Sequence, residues 1–305
     1  MASWQSFALN LGLRYRVKRL IAETTDVAAI RAGAGAADEK ALKVRDGWAV
    51  RALNAGGVTF EVAEAHGALR EPPRVLLYLH GGGYFFCSPQ THRRLSIRLA
   101  EALEATSYSL DYRLAPEHRF PAAADDALAA YRYLQQQFPA ARVVIAGDSA
   151  GGGLALSLAL AIRDHGLPSP LALVLFSPWT DLAGTGGSLE ANTHSDSMFT
   201  GASIRRVAHL YLGAADPCDP RASPLYGDLA GLPPMAIFAS RSEVLLDDAR
   251  RLHAKAQAAG VHADLTLEAG LPHVWPLFGA LPEARATVKQ AAAFVARLPA
   301  PVHPC

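Results

Sequence analysis

From residue 75 onward, short apolar runs alternate with longer segments of helical period. Strand-like runs lie at 75–79, 108–111, 142–146, 171–176, 235–239 and 263–267, separated by segments long enough for crossover helices. That pattern predicts strands covered on both faces, as in a mainly parallel sheet. Between and after them lie 91–104, 122–137, 154–165, 244–259 and 283–297, each long enough for a crossover helix. Gly166 and Gly260 stand where two of these helices should stop. Ahead of this rhythm, runs at 48–53 and 58–62 flank Asn54-Ala55-Gly56-Gly57, which predicts an antiparallel hairpin.

Two regions stand outside the alternation. Residues 1–45 have helical composition, including the basic and apolar stretch from Leu13 to Ile21, and read as helices laid over the body. A helix lying on a membrane surface is the lesser reading. Between Ser177 and Pro233 the sheet pauses for a segment longer than an ordinary connection, the usual mark of a lid or binding loop. With no repeat or linker in evidence, one domain spanning 1–305 and carrying a cap is the economical description.

Chemistry enters at Gly147-Asp148-Ser149-Ala150-Gly151, which follows a predicted strand and opens onto a predicted helix. A serine on such a corner is thrust away from the sheet and is a candidate nucleophile; the bland alternative is a helix cap. Acyl transfer at serine also needs a base, an acid to orient it, and donors for the developing oxyanion. His80-Gly81-Gly82-Gly83 ends the run 75–79 and can supply backbone N–H groups, with Ala150 as partner donor, although three glycines also suit a plain turn. His80 itself reads as a loop-holding residue.

Among eleven histidines, His273 lies in a loop between the last predicted strand and the last helix, which preserves the order serine, acid, histidine. His253, His262, His66, His118 and His303 read as ordinary surface residues. For the acid, Glu243 follows run 235–239 directly and is preferred over Asp247 and Asp248, which lie about a turn farther on. Asp148 is read as bonding neighbouring loops in preference to tuning the site. Tyr84, Phe85 and Phe86 are read as core before pocket lining, with Tyr84 nearest to substrate if any faces it.

Composition narrows the partners. Lys and Arg total 29 against 28 Asp and Glu, a net charge of +1, which leaves no phosphate-tracking excess for nucleic acid. Cys87, Cys218 and Cys305 are far apart and odd in number, which favours reduced thiols in a cytoplasmic protein over disulfides or a zinc site. No export signal, membrane-spanning run, metal site or cofactor site is legible. Action at a lipid interface is not expected either, because no extensive exposed apolar segment is visible in the chain.

Taken together, His80-Gly81-Gly82-Gly83, Asp111-Tyr112-Arg113-Leu114-Ala115-Pro116-Glu117, Gly147-Asp148-Ser149-Ala150-Gly151-Gly152, Ser177-Pro178-Trp179-Thr180-Asp181-Leu182, Ser223-Pro224-Leu225-Tyr226 and His273 resemble the hormone-sensitive-lipase-like esterases. The resemblance covers about residues 70 to 280. It implies an α/β-hydrolase fold: an eight-stranded, mostly parallel sheet with flanking helices and a helical cap formed by 1–45 and 181–213. It further implies a triad of Ser149, an acid and His273, and an oxyanion hole from Gly82, Gly83 and Ala150. Asp111 to Glu117 would brace the oxyanion loop. Many members carry Asp-Pro-Leu where this chain has Glu243-Val244-Leu245, and the 30-residue separation from His273 fits the family's spacing. The implied reaction is cofactor-free hydrolysis of small-molecule esters with short to medium acyl chains, in a chain that could pair as a homodimer. Amide, lactone or drug-ester hydrolysis on the same triad, or a non-catalytic small-molecule receptor, are the alternatives.

Overall fold

A computed structural model describes residues 2–23, 26–36, 44–67, 74–138 and 142–299. The eight predicted strands all form: β1 (Trp48–Ala55), β2 (Val58–Ala65), β3 (Arg74–Leu79), β4 (Thr106–Asp111), β5 (Arg142–Asp148), β6 (Ala172–Phe176), β7 (Met235–Ser240) and β8 (Ala263–Glu268). They make one sheet in the order β1-β2-β4-β3-β5-β6-β7-β8. The pairs β1/β2 and β2/β4 are antiparallel and the rest parallel. The hairpin closes with Ala55 opposite Val58. Gly56 and Gly57 both take positive φ, 62° and 79°, which a two-residue turn of matching twist needs at both positions.

Among the described residues, ten α-helices and one π-helical stretch accompany the sheet. Within the body are α4 (Pro89–Leu103), α5 (Ala122–Gln137), α6 (Ala150–Asp164), α9 (Leu246–Ala258) and α10 (Pro282–Arg297). Ahead of them come α1 (Trp4–Leu13), a π-helical stretch Arg14–Lys18, α2 (Arg19–Glu23) and α3 (Val27–Ala36); α7 (Ser188–Ala191) and α8 (Gly201–Leu212) fall in the long connection after β6. Alternate residues of one strand feed two cores. Val75, Leu77 and Leu79 of β3 join the cluster under α5, α6 and α9, whereas Leu76 and Tyr78 join the one under α4 and α10. This double coverage is why central strands such as β3, β6 and β7 read as unbroken apolar runs. A buried ion pair, Arg93 Nε and Nη2 on the two carboxylate oxygens of Glu61 at 2.8 and 2.6 Å, fixes α4 against β2.

Two features depart from expectation. First, α6 begins at Ala150, four residues ahead of the predicted start. Gly151, Gly152 and Gly153 are poor helix formers, but each sits where a side chain cannot fit. A Cβ would lie 2.1 Å from the Leu79 carbonyl at Gly151, 2.9 Å from Pro178 at Gly152 and 2.0 Å from the Trp179 carbonyl at Gly153. Tertiary crowding thus overrides propensity. Secondly, Trp4, Phe7, Leu11, Tyr15 and Leu20 are exposed, which corrects the expectation of no extensive apolar surface. In sequence these residues are interrupted by polar and small ones and form no continuous run. Their helical spacing gathers them.

The leading helices and the post-β6 connection meet. Lys18 Nζ donates to the carbonyls of Thr193 and Asp196 at 2.5 and 2.7 Å, Arg14 reaches the Ser195 carbonyl, and Arg206 on α8 reaches the Ile21 carbonyl. The connection is held to α9 by two carboxylates, of which that of Asp248 is buried. Asp248 accepts the amides of Thr180 and Asp181 at 2.7 and 2.9 Å, and Asp247 accepts that of Ser188 at 2.8 Å.

The same substitution should have opposite consequences at two glycines. Gly151→Ala forces a methyl into the Leu79 carbonyl and is expected to cost about 1–3 kcal/mol. Gly12→Ala, with nothing within 4 Å of its Cβ position inside α1, should be neutral or stabilise by up to about 1 kcal/mol. Chemical denaturation of the two variants beside the wild type checks the contrast.

Candidate active site

β5 ends at Asp148, and the chain turns into α6 through Ser149 at φ 52°, ψ −121°. A non-glycine residue held there stores about 1–3 kcal/mol of strain, so neighbours must enforce it. The Ser149 amide donates to the Phe176 carbonyl at 2.9 Å, and its carbonyl accepts from Gly153 and Trp179. Glycine at 147 and 151 lets the turn close, since a Cβ on Gly147 would fall 2.2 Å from the Gly151 carbonyl. Although Ser149 occupies the N-cap position of α6, its side chain makes no capping hydrogen bond. The bland alternative for this serine therefore fails on geometry, and the residue is half-buried.

The glycine loop stands beside it at the carboxyl end of β3. Gly82 and Gly83 take φ 109° and 58°, and the amides of Gly82, Gly83 and Ala150 donate to no acceptor among the described residues. Three unspent donors border the turn, that of Ala150 lying in the first turn of α6 where amides have no helical partner. The loop is braced from beneath. Tyr112 hydroxyl donates to the His80 carbonyl at 2.7 Å, the Ala115 amide to the Tyr84 carbonyl at 2.8 Å, and the His80 ring stacks on Tyr112. His80 Nδ1 donates to the Gly81 carbonyl, and burial drives its pKa down to about 3, so the ring is a neutral spacer. Asp148 accepts from Tyr78 Oη at 2.7 Å and the Gly81 amide at 3.1 Å, with His92 Nε2 at 3.2 Å. Burial alone would raise this carboxyl. The His92 and Tyr78 contacts outweigh it and hold Asp148 below its usual range.

His273 arrives from the other side. The β5 and β6 ends lie side by side, Asp148 opposite Phe176, and Ser177 Oγ accepts the Val274 amide at 3.1 Å. That bond ties the histidine loop to the strand next to the Ser149 turn. Ser177 and Val274 are themselves at positive φ, 47° and 50°, a rare setting for a β-branched residue. His273 Nδ1 lies 2.8 Å from Glu243 Oε2, and Glu243 Oε1 accepts the Ser240 amide at 3.1 Å. Both side chains are buried, and Nε2 of His273 has no hydrogen-bond partner among the described residues. Burial pulls the imidazole pKa down, but the Glu243 hydrogen bond and charge prevail and raise it above its usual value.

Of the three carboxylates considered from sequence, Glu243 is thus the one brought to His273. Asp247 and Asp248 hold the post-β6 connection, and burial pushes Asp248 up to about 7. His253 bonds the Ala263 carbonyl and His262 approaches Asp264, both remote from the loop; His303 and Cys305 lie outside the described residues. Tyr84 is core, the reading preferred from the sequence: it is 1% exposed and stacks on Tyr211 at 3.9 Å between ring centroids. Several contributors escaped sequence reasoning. Asp196 accepts the Val244 amide at 2.9 Å and so fixes the loop carrying Glu243, Phe199 sets its ring edge-on to His273, and His92 lies one helical turn into α4. None has a local signal, since each acts across a long sequence gap. A small cavity of about 180 Å³ lined by Ile21, Val27, Ile30, Phe85, Val207 and Leu210, among others, adjoins Gly83, whose absent Cβ would meet Val207 at 2.7 Å.

This arrangement can be compared with known proteins. A model of the α/β-hydrolase fold family matches residues 76–277. Over 98% of this chain and 99% of its own, a solved esterase of the bacterial hormone-sensitive lipase family superposes with a TM-score of 0.89 at 38% identity. The chain belongs to that family. An acetyl-hydrolase of Streptomyces hygroscopicus is 46% identical over 228 residues, 74% of this chain and 76% of the relative. An esterase of Acinetobacter venetianus is 34% identical over 252 residues, 82% of each. Among the described residues, no helix is long and apolar enough to cross a membrane.

The Glu243 contact sets the sign of one measurement. His273 should titrate above 6.5 by NMR of the imidazole, since the carboxylate favours the protonated ring. In Glu243→Gln the charge is gone while burial remains, so the midpoint should drop below 6.5. An unmoved midpoint would mean that Glu243 does not govern the ring.

Proposed function

We propose that the chain hydrolyses short- to medium-chain carboxylic esters through an acyl-enzyme on Ser149. Carboxylic ester hydrolysis by a serine carboxylesterase is the chemistry of its family and of its named relatives. The observation that supports the residue assignment is a buried histidine whose Nδ1 is already committed to Glu243, on a loop tied through Ser177 to the strand beside that of the strained, uncapped Ser149. That commitment leaves Nε2 as the basic lone pair.

In this mechanism Nε2 of His273 takes the Ser149 hydroxyl proton as Oγ attacks the ester carbonyl. The carbonyl π electrons move onto oxygen, and the amides of Gly82, Gly83 and Ala150 receive that oxyanion, each such donor worth about 3 kcal/mol in the transition state. Collapse breaks the bond to the alkoxy group, which leaves as alcohol with the proton from His273. Water then gives a proton to His273, attacks the acyl-enzyme, and the acid departs as Ser149 recovers its proton. Glu243 holds the imidazole in the tautomer that makes Nε2 the base and stabilises the imidazolium between the steps.

The described helices of 1–45 and 181–213 form the cap in this reading, supported by the Lys18, Arg14 and Arg206 contacts between them. The predicted stretch 37–43 falls outside the described residues. The cavity beside Gly83 suits an acyl chain, and its volume of about 180 Å³ favours a short one, below the roughly 300–1,000 Å³ common for drug-sized ligands. Cys87 and Cys218, neither in a disulfide, fit a reducing, cytoplasmic setting, and a net charge of +1 gives nucleic acid little to hold. β8, at the edge of the sheet, is the strand through which a homodimer would pair.

Turnover of p-nitrophenyl acetate and butyrate tests the assignment. Ser149→Ala should abolish it, and Glu243→Gln should lower kcat by roughly a thousandfold or more. Asp247→Asn, whose carboxylate serves the Ser188 amide, should stay near wild type. Equal losses at positions 243 and 247 would refute the choice of acid.

A further inference from the structure

Among the described residues, the large hydrophobic side chains left exposed all lie between positions 4 and 20. Trp4, Phe7 and Tyr15 are 76%, 74% and 71% exposed, with Leu11 and Leu20 beside them. At 100° per residue, positions 4, 7 and 11 fall on one face of α1, and Tyr15 in the π-helical turn extends the line. The opposite face carries Ser6 and Leu13, both buried against the body. Ser6 Oγ and Asn10 Nδ2 donate to the Gly270 carbonyl, and Ser3 bonds Glu283. α1 is therefore docked through one side and apolar on the other, so its outward face calls for a cover.

Charge identifies the cover. Residues 1–22 hold Arg14, Arg16, Lys18 and Arg19 and no Asp or Glu, although the whole chain is balanced to +1. Lys18 is turned onto the Thr193 and Asp196 carbonyls and anchors the segment with Arg14, which reaches the Ser195 carbonyl from an exposed position, while Arg16 and Arg19 are exposed in the same stretch as Tyr15 and Leu20. Aromatic and leucine side chains flanked by cations match a surface of anionic lipid, where rings settle at the headgroup boundary and basic groups meet the phosphates. A second copy pairing through the same face would set like charges together, which disfavours self-association there.

From this face we infer that the α1 stripe docks the protein on an anionic phospholipid surface. The outward side of the cap helices would then lie on the membrane, next to where apolar esters partition. This inference is separate from the ester reading and is tested by binding alone.

The full chain is mixed with vesicles of phosphatidylcholine containing about 30% phosphatidylglycerol, and with vesicles of pure phosphatidylcholine. Cosedimentation should be at least about tenfold stronger with the anionic vesicles and should weaken in high salt. Trp4 makes the contact visible, because Trp48, Trp179 and Trp275 are all buried. Its emission should shift to the blue on binding, and Trp4→Phe should lose the shift while still sedimenting. The double variant Phe7→Ser, Tyr15→Ser, which alters exposed positions only, should lose binding while keeping its melting temperature. Equal sedimentation with both vesicle types, or undiminished binding by the double variant, would overturn the inference. So would a concentration-dependent dimer in ultracentrifugation that the double variant dissolves, since a second copy would then be the cover.

Discussion

Everything at the site depends on one close contact of backbone with backbone. The start of α6 lies against the end of β3 so tightly that Gly151 has no room for a methyl group between the Leu79 and His80 carbonyls. The same helix start presses on Trp179 through Gly153 and on Pro178 through Gly152. Two neighbouring loops are thus registered to one helix terminus. This explains how Ser149 can be kept at an unfavourable φ: relaxing it would move α6 away from both at once. Strain is local, and the packing that enforces it is spread over β3, β5 and β6.

A polar counterpart to that contact runs through Asp148. Its carboxylate joins Tyr78 on β3, the Gly81 amide of the glycine loop and His92 on α4, so the residue before the serine also positions the loop facing it. Gly81 must lack a side chain for this to happen, because a Cβ would stand 2.2 Å from the Asp148 carboxylate. The histidine side is secured separately. Ser177 holds the Val274 amide, Ser240 Oγ holds the Leu271 carbonyl, and Asp196 steadies the Glu243 loop from the post-β6 connection. The post-β6 connection and the Glu243 loop therefore share a carboxylate, which couples the seating of one to the geometry of the other.

Most of this order was legible in the chain. Unbroken apolar runs such as Val143-Val144-Ile145-Ala146 marked strands covered on both faces, and Gly56-Gly57 marked the hairpin turn. Motif order brought Ser149, Glu243 and His273 forward as a set, because strand ends in a parallel sheet converge on one edge. What escaped depended on contacts across the chain. Glycines that weaken a helix in isolation open α6, since only they fit there. The α1 stripe was hidden for the opposite reason, because residues three and four apart make a surface only once the helix exists.

The proposal that Ser149 is the attacking residue is most directly tested by covalent trapping. A fluorophosphonate ester, with fluoride as leaving group, phosphonylates a serine whose hydroxyl is activated by a neighbouring base and faces oxyanion donors. Intact mass followed by peptide mapping should show a single adduct, on Ser149 within the tryptic peptide 143–163. Labelling at another serine, or none under conditions where ester turnover is intact, would contradict the assignment.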